Sequence, residues 1–382
     1  MITHAFAGGA GFLLIFFVLF DAFETIVLPR RVTRRFRLTA VFYRMSWRPW
    51  RWLATHIKKL RRREAFVSYY GPLSLIVLLG LWALAMVIGF GVLEWGFGSH
   101  VQTLYGPVSI WDDIYLSGTT FFTVGLGDVA PHSTASRVIV FFEGALGLGF
   151  LGVVIGYLPV IYSSFSQREV AISLLDARAG SPPTATELLI RYAREKDLDS
   201  LRELLHDWER WAAELLESHL SYPVLAYFRS QHDNESWLAA LTTILDASSL
   251  IIAGVDGIAK HQAELTFAMS RHALVDLCQV FNIEPVIGDR ERLSSEGMEK
   301  LRDLLLREGV SFSCRGKSEC ELEWLREQYE PYVKGLAERL LLTLPPFYME
   351  KKKKDNWQSS AWKQRTSTTS QQPEFVRQEY HL

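Results

Sequence analysis

Three long apolar stretches organise the first half of the chain. Residues 1–20 carry no formal charge, residues 65–93 carry none, and residues 138–165 carry only Glu143. A bilayer core of about 30 Å needs roughly 20 apolar residues in a helix, because backbone groups left unpaired in lipid are costly. The pattern predicts spanning helices over 5–28, 70–93 and 138–165. The first has no Lys or Arg ahead of its apolar run and no small-residue cleavage site after it, so it reads as a retained span and not as a secretory signal peptide. A shorter apolar run, 111–121, follows Ser109 and Asp112 in the Ser-x-x-acid pattern of a helix N-terminus. It predicts a helix of about three turns, near half the length of a crossing, which must dip into the membrane region and return.

After residue 166 the pattern changes. Leu, Ala, Trp and Tyr recur at helical spacing over 187–192, 201–220, 237–252, 265–281 and 299–307, punctuated by Pro182, Pro183, Pro223, Pro285, Pro345 and Pro346. The fold expected is therefore an all-α membrane protein: three transmembrane helices and a re-entrant helix, then an all-α soluble domain of five to eight helices. The expected boundaries are an N-terminal span at 1–29, a basic segment at 30–64, a two-span module at 65–165, the helical domain at 166–346, and a disordered tail at 347–382 with Lys351, Lys352, Lys353 and Lys354 and a Ser/Thr/Gln-rich end. No Gly-x-Gly-x-x-Gly opens a strand–helix unit, and the many short strands of a nucleotide-binding barrel are missing.

Charge adds orientation. The totals, 41 basic and 42 acidic residues, leave −1 and argue against a nucleic-acid binder that depends on global basicity. Locally the balance is uneven: thirteen Lys and Arg lie between Pro29 and Glu64, and none between Glu94 and Arg137. Positive loops stay cytoplasmic, so the N-terminus is expected outside and the helical domain in the cytoplasm, in a multi-pass protein of the cell membrane. Trp47, Trp50 and Trp52 among the arginines of 30–64 fit either a helix at the headgroup level against anionic lipid or plain topology signal with aromatic belt residues. Asp21 and Glu24, near the inner end of the first span, are expected to pair with the arginines just beyond. The helical domain is acidic, with 30 Asp and Glu against 20 Lys and Arg over 166–345. Cys278, Cys314 and Cys320 show neither metal-ligand nor disulfide spacing and read as reduced thiols.

The re-entrant helix runs into Thr123, Val124, Gly125, Leu126, Gly127 and Asp128. A dehydrated K⁺ needs a cage of oxygens, and consecutive carbonyls face one axis only if alternate residues take backbone angles that L-residues avoid; glycine supplies them. Here the sequence resembles the potassium-channel family, whose filter reads Thr-Val-Gly-Tyr-Gly. The resemblance covers about 70–165. It implies a homotetramer, K⁺ as the permeant ion with no cofactor, and passive conduction and no enzyme activity. It implies a filter of Thr123, Val124, Gly125, Leu126 and Gly127, whose carbonyls coordinate the ion while Val124 and Leu126 pack against the pore helix, with Asp128 as support.

Two positions depart from the family pattern. Leu126 replaces Tyr, as in the second pore of animal two-pore-domain channels, and Phe122 replaces a Thr. A weakly selective cation channel is therefore the nearest alternative, and a membrane-anchored helical signalling protein with a vestigial pore the next. Within the third span, Glu143 is either a neutral acid hydrogen-bonded behind the filter or a charge in the water-filled cavity. Gly147 matches the family's bending glycine and also suits close helix packing, and Pro159 is expected to kink the helix near its cytoplasmic end. Both are gating candidates. No span carries Arg at every third position, so a voltage sensor of the usual kind is not expected.

Overall fold

Apolar runs of this length have one economical way to pair their backbone in lipid, and the long helices follow them. The structure, a computed structural model, describes residues 2–28, 37–98, 101–103, 107–195, 198–230, 235–255, 260–287, 292–312 and 317–349. Arg30, Arg31, Arg34, Arg35, His232, Cys314 and the tail from residue 350 lie outside them. Helix α1 covers Ile2–Ala22 and ends in a π-helical turn, Phe23–Val27. The basic segment forms α2, Leu38–Thr55, and α3, Leu60–Ser68; α4 follows over Tyr70–Gly96. A short strand β1 (Val101–Thr103), the re-entrant helix α5 (Ile110–Phe121), a second strand β2 (Val129–Pro131) and the 46-residue helix α6 (Thr134–Ala179) complete this part.

The chain divides into two units: Met1–Phe165 with Ser218–Arg229, and Ser166–Glu217 with Ser230–Leu382. In the first unit α1 lies along α4 at close range, since a Cβ on Gly11 would stand 2.6 Å from the carbonyl oxygen of Gly89. Asp21 has partners other than the expected arginines among the described residues, which do not include Arg30, Arg31, Arg34 and Arg35. It accepts from the backbone N–H of Thr39 at 3.1 Å, from the Thr39 hydroxyl at 2.6 Å, and from Trp82 Nε1 at 3.1 Å, which ties α1 to the start of α2 and to α4. Its carboxylate is buried, where a charge needs donors close by, and these groups supply them.

The regular elements among the described residues of the second unit are all helices, apart from one bridge between Val255 and Phe312. It contains the end of α6, α7 (Ala185–Glu195), most of α8 (Leu198–Ser221), α9 (Trp237–Gly254), α10 (Lys260–Val280), α11 (Ser295–Arg307), α12 (Lys317–Glu327) and α13 (Glu330–Leu340). Helix α9 is also long and apolar enough to cross a membrane, but 94% of its apolar window is buried inside the protein. Its central Asp246 takes two bonds from Arg292, at 3.0 and 2.5 Å, and one from the Tyr329 hydroxyl at 2.6 Å. A charge so fully paired by its own unit marks α9 as the centre of a protein core. Cys278 is a free buried thiol, pushed up to about 12 by burial. One expected boundary moves: Phe347 was assigned to the tail, yet it is buried and its carbonyl accepts from the Thr186 hydroxyl at 2.7 Å, so the folded domain runs past residue 346.

Candidate ion-conducting site

The re-entrant helix α5 starts where its sequence says it should. Asp112 Oδ2 accepts from the Ser109 backbone N–H at 2.8 Å, which satisfies a donor that the first turn leaves open. At twelve residues it is about 18 Å long, too short to cross. Its last turn then holds the chain that follows: the Thr119 carbonyl accepts from Val124 N at 2.7 Å and from Gly125 N at 3.2 Å. Beyond it, Thr123, Gly125 and Gly127 have φ of +57°, +56° and +79°, while Val124 and Leu126 between them do not take positive φ. Left-handed residues thus alternate with ordinary ones over five positions. A non-glycine residue such as Thr123 adopts this region only under constraint, here the two bonds to Thr119 that immediately follow it.

Strands β1 and β2, which precede α5 and follow the turn, form an antiparallel pair, with Val101 opposite Pro131 and Thr103 opposite Val129. Val101 and Val129 are buried with Leu116 of α5. The ribbon is too short for periodicity to announce it, and the sequence reading missed it. Asp128, at the start of the ribbon, accepts from the Tyr115 hydroxyl of α5 at 3.0 and 3.2 Å. This is a brace from helix to turn that does not depend on a Tyr at position 126.

Val124 and Leu126 were expected to pack against α5, but they are 56% and 66% exposed within the chain, as is Phe122 at 59%. Helix α5 buries Leu116, Ser117 and Phe121 instead, and these apolar groups remain exposed within the chain. Glu143, by contrast, is buried. Ser117 on α5 stands between it and the Val87 carbonyl, 2.8 Å from the latter and in short contact with Glu143 Oε1. A hydroxyl has one hydrogen to give, so both contacts are satisfied when Ser117 donates to Val87 and the Glu143 carboxyl, holding a proton, donates to Ser117. Glu94 at the end of α4 and Asp113 in the first turn of α5 are buried as well.

Gly147 packs directly on the end of α5: a Cβ there would overlap the Phe121 carbonyl oxygen and lie 2.9 Å from its carbon. Helix α6 continues unbroken through Gly147 and Pro159. Only 11% of the apolar window of α6 is buried inside the chain, against 56% for the helix through α4.

A family model described as an ion channel matches residues 75–163. This segment is similar to ion channels. The match begins within α4, runs through α5 and the 122–128 turn and ends in α6, so the matched segment contains the whole of the site described above. The chain is also similar to an uncharacterized membrane protein, YdjJ, of Bacillus subtilis (strain 168), with 28% identity over 209 residues that make up 53% of this chain. It spans 60% of the length of that relative. No solved structure matches the chain significantly. The helices long and apolar enough to cross a membrane, together with the likeness to a membrane protein, make it a membrane protein, and its segment 75–163 is similar to ion channels.

Proposed function

We propose that the protein is a K⁺-selective channel that conducts passively as a homotetramer, with Thr123 to Gly127 as its filter. The observation that carries the reading is the alternation of left-handed backbone at Thr123, Gly125 and Gly127. Alternating the hand of successive residues turns successive carbonyls to one side, and a row of such oxygens around an axis replaces the water of a dehydrated cation. Asp128, held by Tyr115, and Glu143, bonded through Ser117, support the filter from its outer end and from behind.

Four copies are favoured by what one copy leaves uncovered. Val124, Leu126 and most of α6 are apolar and exposed, and Cβ atoms placed on Gly149, Gly152 and Gly156 would meet nothing within 4 Å. A neighbouring subunit would cover these groups, since small residues let membrane helices approach. The orientation follows the basic residues of 30–64, with the N-terminus outside, the helical domain in the cytoplasm and the protein in the cell membrane. Exposed Met45 and Trp52 on α2, beside its arginines, suit contact with anionic lipid. Leu126 has no hydroxyl, and a weakly selective cation channel is the reading this favours should selectivity fail.

Reconstitution into vesicles with opposed K⁺ and Na⁺ gradients tests the proposal. The expected result is a tetramer by size and a reversal potential close to that of K⁺. A monomer, or equal passage of both ions, would overturn it.

A further inference from the structure

The first unit is completed by residues that come from far along the chain. Helix α8 is a single helix over Leu198–Ser221; its residues up to Glu217 belong to the second unit and its last turn to the first. The chain stays with the first unit through the 3₁₀ turn Pro223–Tyr227 as far as Arg229, and rejoins the second at Ser230. The two units are therefore joined by the chain at three places and not only along α6.

This returning segment touches four elements, α2, α3, α4 and α6. The Tyr227 ring stacks on Tyr43 of α2 with centroids 5.7 Å apart, and lies 5.0 Å from Trp47 of α2 and 5.1 Å from Tyr70 of α4. Phe228 meets Phe165 of α6 at 5.6 Å, and Tyr222 meets Tyr157 of α6, two residues before Pro159, at 5.7 Å. Val224 and Leu225 are buried in the same apolar cluster as Ile161 of α6 and Leu75 and Leu78 of α4. The segment ends on an ion pair, Arg229 to Glu64 at 3.7 Å.

We propose that residues 222–229 are a positioning strap for the pore: they hold the 157–165 portion of α6 against α2 and α4, and α8 carries changes in the second unit to that contact. This rests on the ion-conducting reading above. The physical case is that α6 is otherwise the least covered of the long apolar helices, so the few aromatic contacts at its 157–165 portion fix its position more than they would in a well-packed helix. A helix is stiff along its axis, so movement of α8 reaches the strap without being absorbed by a loop. None of the strap contacts described above involves residues 123–127, and selectivity should be indifferent to the strap.

Two substitutions in the full-length protein approach the contact from opposite sides. Tyr227→Ala removes the ring, with Tyr227→Phe as the control that keeps it. Gly71→Ala works from α4, where a Cβ would come within 2.7 Å of Phe228 Cδ2 and 3.1 Å of the Tyr227 carbonyl oxygen. In planar bilayers, both are expected to change open probability by roughly fivefold with reversal potential unchanged, and Tyr227→Phe to match the parent. Backbone hydrogen exchange over 157–165 should quicken in the same two variants, a readout that requires no current. Open probability within twofold of the parent and unchanged exchange in both would overturn the strap. Absence of current in the unmutated protein would instead overturn the ion-conducting reading, and the exchange comparison would still decide whether the strap positions α6.

Discussion

Backbone angles set what residues 123–127 can do, and they make the glycines testable one at a time. A Cβ on Gly125 would meet no atom within 4 Å in the chain, so an alanine there is opposed by its φ of +56° and not by crowding. The left-handed region costs an L-residue roughly 1–2 kcal/mol in each subunit. Gly125→Ala is expected to abolish K⁺ flux from vesicles while expression and oligomer size stay as they were; normal flux would remove the filter assignment. Glu143 separates two ideas more sharply. With Ser117 donating to Val87, position 143 must donate, and a glutamine amide does so as well as a protonated acid. Glu143→Gln should keep the thermal midpoint and flux of the parent, whereas Glu143→Ala leaves a buried hydroxyl short of a partner at a cost of about 1–3 kcal/mol. Equal damage from both, seen by thermal unfolding of the purified protein, would mean that a charged carboxylate is required there.

At the scale of elements, α6 poses the sharpest choice. The sequence leaves Gly147 open between a hinge and a packing contact, and the overlap that a Cβ would make with the Phe121 carbonyl favours packing. Backbone cannot yield as a flexible side chain does, so Gly147→Ala should prevent stable assembly of the pore module, measured as loss of the oligomer on gel filtration. A pure hinge predicts the opposite outcome, an intact oligomer that opens less often. The re-entrant α5 was legible because its cap and its length are local properties. The β1–β2 ribbon was not, because three-residue strands carry no periodicity and their pairing depends on ends brought together across α5 and the turn.

For the whole molecule, the return of Ser218–Arg229 to the first unit changes what truncation means. A pore module followed by an independent domain would tolerate removal of everything after Arg168 with its selectivity and assembly intact. Here that cut also deletes Val224, Leu225 and Tyr227, and uncovers Tyr43, Trp47 and Tyr70. Burying one such side chain is worth roughly 1.5–3 kcal/mol. The truncated protein is thus expected to melt well below the full chain and to lose oligomer in detergent. A truncated protein that melts with the parent would show that the segment adds nothing to the stability of the first unit.

Several things about this protein were determined by sequence alone: the three apolar spans, the capped half-length helix, the Thr-Val-Gly-Leu-Gly run, and the helical character of the acidic second half. Each depends on residues within a few turns of one another, where hydrophobic period, capping chemistry and glycine's freedom act directly. Other features were decided only by tertiary structure. Asp21 takes Thr39 and Trp82 as partners, α9 is a protein core and not a fourth span, Val124 and Leu126 are left exposed within the chain, and residues 222–229 close the first unit. These depend on which distant groups arrive at the same place, and an aromatic run such as Tyr222 to Phe228 carries no mark, in its own pattern, of the helices it will meet.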